Sequence, residues 1–396
     1  MIRCNLPRWQ NLAWQVTGCA AVSALVVLPC AAAGEAARNA PLRIGSVSSL
    51  TGPARFPESS AAVRAYFDSV NASGGIRGRQ LELIVEDDKG DPAEARNVAR
   101  RLVDEQGVLA MVGSASIVDC ASNAEHYQRS DLMSIQGTGI EPECFASSHV
   151  VPVNTGPYLS LRNALQFARD TLKASRPCAI IFDLPGTRAA YDDVMRVWSR
   201  ESGVGMTHVA RFAPGDDVEA LIRQATARQC DAVVHTGVEP MVLEWVRAAQ
   251  RLGLLAVVPT IFLTPAYTER VATELHFATL PIYCMAEFEP WSSRSPSLTD
   301  WRSMMQRAKV PPSSFAQGGY VAAHVLVRTL RGIDGELTRQ RVSAALRSVA
   351  NLDLAMVGTR FSIGTSSRHN PNRAALPMKL ERGIWRIASA FWVVAP

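Results

Sequence analysis

The feature that most constrains this chain is an alternation of short apolar runs, each ending in a polar loop, with segments that carry a helical stripe. Its clearest instance lies between Leu109 and Cys144. The run Leu109–Val112 leads into Gly113-Ser114-Ala115-Ser116, a helical segment follows, and the run Leu132–Ile135 leads into Gln136-Gly137-Thr138-Gly139. In a parallel sheet both loops sit at the carboxyl edge of the strands, where α/β folds bind ligands. Upstream, Leu42–Val47 is followed by a stripe of Val63, Tyr66, Phe67 and Val70 at i, i+3, i+4, i+7, which ends at Gly74-Gly75. Leu81–Glu86 is followed by Asp91-Pro92-Ala93-Glu94, an N-cap with proline at the first helical position, and then by Ala95, Val98, Leu102 and Val103. A period of about 25 to 30 residues is the βαβ rhythm of a doubly wound sheet.

The rhythm restarts after Val153–Pro157, with apolar runs at Cys178–Phe182, Cys230–Val234 and Thr260–Leu263, each followed by a polar loop. The expected fold class is therefore α/β, with two doubly wound parallel-sheet lobes whose binding loops face each other. From Pro296 the pattern turns helical, and short strand-like runs return at Met378–Leu380 and Trp385–Val394. The helices are assigned to the first lobe and the tail strands to the second.

The first residues set the compartment. Arg3 and Arg8 precede an apolar run from Val16 to Leu28, and Cys30-Ala31-Ala32-Ala33 presents small residues suited to signal peptidase, so residues 1–33 read as a secretory signal peptide. A membrane anchor is the bland alternative, but the run is shorter than the ~20 residues a span needs. Val16-Thr17-Gly18-Cys19 also loosely resembles a lipobox. About 360 residues follow Ala33, enough for two domains. The formal charge of +5 is scattered, with no Lys/Arg cluster interleaved with aromatics, which argues against nucleic acid as a partner.

Five cysteines lie beyond the leader, Cys120, Cys144, Cys178, Cys230 and Cys284, and none forms a C-x-x-C pair, so no metal is expected. An exported chain uses cysteines as disulfides. Cys120 and Cys144 bracket one strand, and Cys178 and Cys230 each begin one, which predicts two bridges and leaves Cys284 as a buried thiol. No motif for a nucleotide, zinc or nucleophile-elbow site is present, so neither an enzyme nor a cofactor is expected. The sharpest enzymatic alternative pairs Ser114 with His235 as a hydrolase.

Leu50-Thr51-Gly52-Pro53, Asn71-Ala72-Ser73-Gly74-Gly75-Ile76-Arg77-Gly78, Leu83–Asp88 with Gly90-Asp91-Pro92, and Val112-Gly113-Ser114 occur in order at close spacing. Together they resemble the extracytoplasmic solute-binding proteins of ABC transporters for leucine, isoleucine and valine, the type I periplasmic binding fold. His369-Asn370-Pro371-Asn372-Arg373 also resembles a subset of that family. The resemblance implies a periplasmic, monomeric protein that closes like a hinge on an amino acid or related small carboxylate and delivers it to membrane permease and ATPase subunits. A receptor that signals to a sensor is the alternative. It also implies three crossings between lobes, placed near Asn154–Gly156, Glu287–Pro290 and Asp353–Gly358. These bounds make 41–155 and 288–352 lobe I, and 156–287 and 353–396 lobe II.

The resemblance places the ligand carboxylate at Ser114, Ala115 and Ser116, and at Gln136, Gly137 and Thr138. Helix N-termini there would offer N–H donors. The bland reading is that Ser114 or Ser116 only caps a helix. From the second lobe, Thr187, Gly237, Glu239 and Thr264 are the candidates, with Glu239 as acceptor for an ammonium group. The chain departs from the family where it carries Thr187 in place of an aromatic residue, and Thr264-Pro265-Ala266-Tyr267 in place of a loop with a ligand-binding acid. A carboxylate without an ammonium group is thus an alternative ligand.

Overall fold

The computed structural model describes residues 40–394 apart from Pro53. The signal peptide read at 1–33 lies outside the described residues.

The first sheet contains β1 (Leu42–Ser48), β2 (Leu81–Asp87), β3 (Met111–Ala115), β4 (Ser134–Thr138) and β5 (Val150–Pro152), in the order β2-β1-β3-β4-β5. All four pairings are parallel. The second sheet contains β6 (Pro177–Phe182), β7 (His208–Phe212), β8 (Ala232–His235), β9 (Thr260–Phe262), β10 (Ile282–Ala286), β11 (Leu376–Glu381) and β12 (Ile384–Ile387), in the order β12-β11-β10-β9-β8-β6-β7. Its members pair in parallel except β11 and β12, which run antiparallel to their neighbours. The β11–β12 hairpin turns at Arg382 and Gly383, both with positive φ (50° and 79°), the geometry that matches the twist of the flanking strands.

The central strands are apolar along their length because helices cover both faces. In the first lobe Leu42, Ile44, Val112 and Ile135 share one core with Val63, Phe67 and Val70 of the Pro57–Ala72 helix. Trp301, Val325, Leu326, Val342 and Leu346, from the three late helices, fill the same core. The Pro92–Arg100 helix starts where Asp91 accepts the N–H groups of Ala93 and Glu94, both at 2.8 Å. The second lobe has separate cores on its two faces.

Two disulfides join Cys120 to Cys144 and Cys178 to Cys230, while Cys284 is a buried thiol. β6 and β8 are adjacent, so the strand starts bring the second pair together. No helix among the described residues is long and apolar enough to cross a membrane.

The last crossing differs from expectation. Leu354, Met356, Phe361 and Ile363 pack in the first-lobe core, and Leu352 bridges to Phe361. The segment expected to open the second lobe at 353 therefore still belongs to the first, since these apolar side chains fill the space beneath the late helices. The chain reaches the second lobe near Ala374, whose carbonyl accepts the Thr155 hydroxyl at 2.6 Å, and Ala375 joins a second-lobe core. The three crossings are stitched together there, because Asn372 donates to the Glu287 carbonyl at 2.7 Å.

Candidate functional site between the lobes

The carboxyl edges of the two sheets enclose a cavity of about 310 Å³. Ile117, Thr138, Gly139, Ile140 and Asn154 line it from the first lobe, with Phe56 and Phe315. Phe182–Pro185, Tyr191, Thr236, Val238, Met241 and Leu263–Pro265 line it from the second, and Glu287 lines it at the second crossing. An outer groove of about 820 Å³ shares Ala54, Phe56, Val238, Pro265 and Phe315 with it and carries charge, including Arg55, Glu58, Glu239 and Arg270. The inner cavity is the candidate site, because it is bounded by the strand ends of both sheets and its walls are mainly apolar.

Two of the expected residues, Thr138 and Thr264, line this cavity. The others are placed elsewhere. Gly113 has φ +66° and the β3 ladder shifts register beside it, which turns Ser114 into the sheet, where its Oγ accepts the Val47 N–H at 3.2 Å. Ala115 ends β3 and is buried. Ser116 accepts the N–H groups of Val118 and Asp119, each at 3.0 Å, so it organises the start of the Asp119–Arg129 helix.

Gln136 donates to Asp119 Oδ2 and to Ser134 Oγ, both at 2.9 Å. Gly137 is a packing contact: a Cβ there would lie 2.2 Å from Ser59 Oγ. Thr187 donates to the Leu184 carbonyl at 2.8 Å and shapes the loop whose Leu184 and Pro185 face the cavity. The Gly237 N–H donates to His235 Nδ1 at 3.1 Å. Glu239 stands in the outer groove, where Thr268 donates to it at 2.9 Å and Arg270 pairs with it at 3.1 Å. Its carboxylate has Arg270 as a counter-ion and faces the outer groove, not the inner cavity.

The proposed hydrolase pair does not form. Ser114 belongs to β3, while the His235 ring ends β8 in the other lobe, packed among Phe212, Trp245 and Phe262. Burial there pushes its pKa down to about 3.

The residues that sequence reasoning missed are Asn154, Tyr191 and above all Glu287, placed beforehand only as part of a hinge. Glu287 is 1% exposed. Its Oε1 accepts the Ser160 hydroxyl at 2.6 Å and its Oε2 has no hydrogen-bond partner. Burial pushes its carboxyl up to about 7, opposed by Ser160, Asn154 and the Gly156 N–H. The other acid of the cavity, Asp183, pairs with Arg188 and lies 4.0 Å from Arg211. Among the described residues, no Lys, Arg or His lines the cavity.

Cys120, Glu141 and Cys144 are the group that brings potential metal-ligating atoms within 4.8 Å among the described residues. The sulfurs are bonded to each other, and Glu141 accepts the Cys120 and Ala121 N–H groups, so these atoms are already committed.

Residues 41–383 match the periplasmic binding protein family. The chain belongs to that family. Such proteins bind solutes outside the cytoplasm and are not enzymes. This periplasmic binding protein is 25% identical to an amino acid binding protein of Pseudomonas aeruginosa over 207 residues, 48% of the chain and 51% of that relative. It is 23% identical to the Leu/Ile/Val/Thr-binding protein of Salmonella typhimurium over 219 residues, 54% of the chain and 59% of that relative. The chain thus spans about half the length of the curated relatives it matches. Among solved structures it resembles the branched-chain amino acid transporter substrate binding protein LivJ from Streptococcus pneumoniae, in complex with isoleucine. That likeness has a TM-score of 0.75 at 17% identity and covers 89% of this chain and 99% of the other, which shows the fold.

Proposed function

We propose that this chain is the periplasmic substrate-binding component of an ABC transporter, which takes an amino acid or a related small carboxylate into the interlobe cavity by hinge closure. Export rests on the leader read at 1–33. The protein works as a monomer and passes its ligand to membrane permease and ATPase subunits. The observation that carries the reading is that one small cavity, about 310 Å³, is walled by both lobes at the point where the chain crosses between them. A ligand there touches both halves, which is the differential contact that closure requires. The volume lies at the small end of ligand sites. Thr138 offers a hydroxyl from the first lobe, and Thr236 offers one from the second. The relatives named for Leu, Ile and Val binding support an apolar amino acid, as do the Phe182, Leu184, Met241 and Leu263 walls.

A thermal-shift panel of the standard amino acids and short carboxylates tests this. At about 100 times its dissociation constant, a true ligand stabilises the protein by about 2.7 kcal/mol, a rise of several degrees. A panel without one shifted melting temperature would overturn the reading.

A further inference from the structure

We propose that Glu287 is the acceptor for a protonated amine on the ligand, so that the cavity selects amine-bearing ligands over carboxylates that lack one. The proposal rests on the solute-binding reading and narrows its ligand class.

Three observations carry it. First, Glu287 is a nearly fully buried wall of the cavity whose Oε1 accepts the Ser160 hydroxyl, while Oε2 makes no hydrogen bond of good geometry although the Asn154 amide and the Gly156 N–H lie beside the carboxyl. A buried polar group is ordinarily paired, and an orphan oxygen at a ligand cavity marks a bond left for the ligand. Second, the competing acids are already matched by cations. Asp183 has Arg188 and Arg211, and Glu239 has Arg270. Third, among the described residues the lining contains no Lys, Arg or His. A simple carboxylate would enter a site with two acids and no cationic side chain, whereas an ammonium group meets a free acceptor.

The position of Glu287 makes this contact useful for closure. It follows β10 at the second crossing, its carbonyl holds Asn372 of the third, and its carboxyl holds Ser160 just beyond the first. The group is therefore fixed by all three connecting strands. Burial raises the pKa of this carboxyl, and an ammonium bound beside it would act in the opposite direction.

Calorimetry on the full chain tests the assignment with leucine, isocaproate, which lacks the amine, and isoamylamine, which lacks the carboxylate, beside the remaining standard amino acids. The amino acid that binds best is expected to outbind its deaminated counterpart at least tenfold, a comparison that needs no variant. In Glu287→Gln the same amino acid is expected to bind at least tenfold more weakly, while the unliganded protein melts no lower than the wild type because an unpaired buried acid has been removed. A merely structural role would instead lower the melting temperature. Equal binding of the amino acid and its deaminated counterpart to the wild type, or undiminished binding of the amino acid to Glu287→Gln, would overturn the assignment and leave the solute-binding reading standing. Absence of binding by every amino acid, carboxylate and amine tried would overturn both.

Discussion

The Thr264 hydroxyl donates to Ser314 Oγ at 2.8 Å, and this bond joins the two lobes across the cavity mouth. Thr264 follows β9 of the second lobe, and Ser314 opens the Ser314–Gly332 helix of the first. Beside it, Thr268 bridges to Ser313, and the Tyr267 ring stacks on Trp291 with centroids 3.7 Å apart. The described conformation is therefore a closed one, held by a small polar and aromatic latch.

Thr264→Val removes that bond while keeping the shape. A buried hydrogen bond contributes about 1 kcal/mol net. The ratio of closed to open unliganded protein should fall about fivefold, seen as a larger radius of gyration in small-angle X-ray scattering. An unchanged radius would place closure elsewhere.

From Glu287, Glu141 and His235 together, stability should peak on the acid side, at about pH 4 to 5, and fall as pH rises towards about 8. Burial raises the folded pKa of Glu287 to about 7 and of Glu141 to about 8. The folded protein thus holds protons that the unfolded chain releases near pH 4, so the stability these groups supply is fully present below about pH 4 and is lost progressively as pH rises from there to about 7 to 8. On the acid side, His235 titrates near 3 when folded and near 6.5 when unfolded, so it costs stability as pH falls below 6.5. Melting temperature followed across pH checks this. Glu287→Gln should flatten the alkaline limb.

The two disulfides close loops of 24 and 52 residues in sequence separation. Chain-entropy arguments give about 3 to 4 kcal/mol for each. Melting with and without reductant should show a fall of several degrees, and non-reducing peptide mapping should recover Cys120 with Cys144 and Cys178 with Cys230.

Gly318 lets the Ser314–Gly332 helix lie against β4. A Cβ there would sit 2.0 Å from the Gly137 carbonyl oxygen, a backbone atom that cannot swing away. Gly318→Ala should cost about 1 to 3 kcal/mol, measured by denaturant unfolding.

How far the sequence reveals this molecule depends on the range of the interactions involved. β1 to β5 and their helices are legible because buried parallel strands are apolar throughout and the helical stripes are local. The cysteine pairs are legible because each flanks strands that the rhythm places together. Ser114 misleads because the Gly113 bulge, a matter of one positive φ, turns its hydroxyl into the sheet. Ser116 and Gln136 look like ligand groups but serve a helix start and a buried polar network around Asp119. Glu287 escapes notice because its partners Ser160 and Asn372 stand 127 and 85 residues away, and only the folded crossings bring them together. The run Leu352–Ile363 carries no helical or strand period, so its place in the first-lobe core has no local sign.

Calorimetric titration of the full chain with apolar amino acids, run beside Thr138→Trp, tests the central claim most directly, since the added ring occupies the cavity that Thr138 lines. The expected result is one ligand per wild-type chain and no detectable binding to the variant, whose melting temperature is retained. Undiminished binding to Thr138→Trp, or no binding to the wild type, would contradict the account.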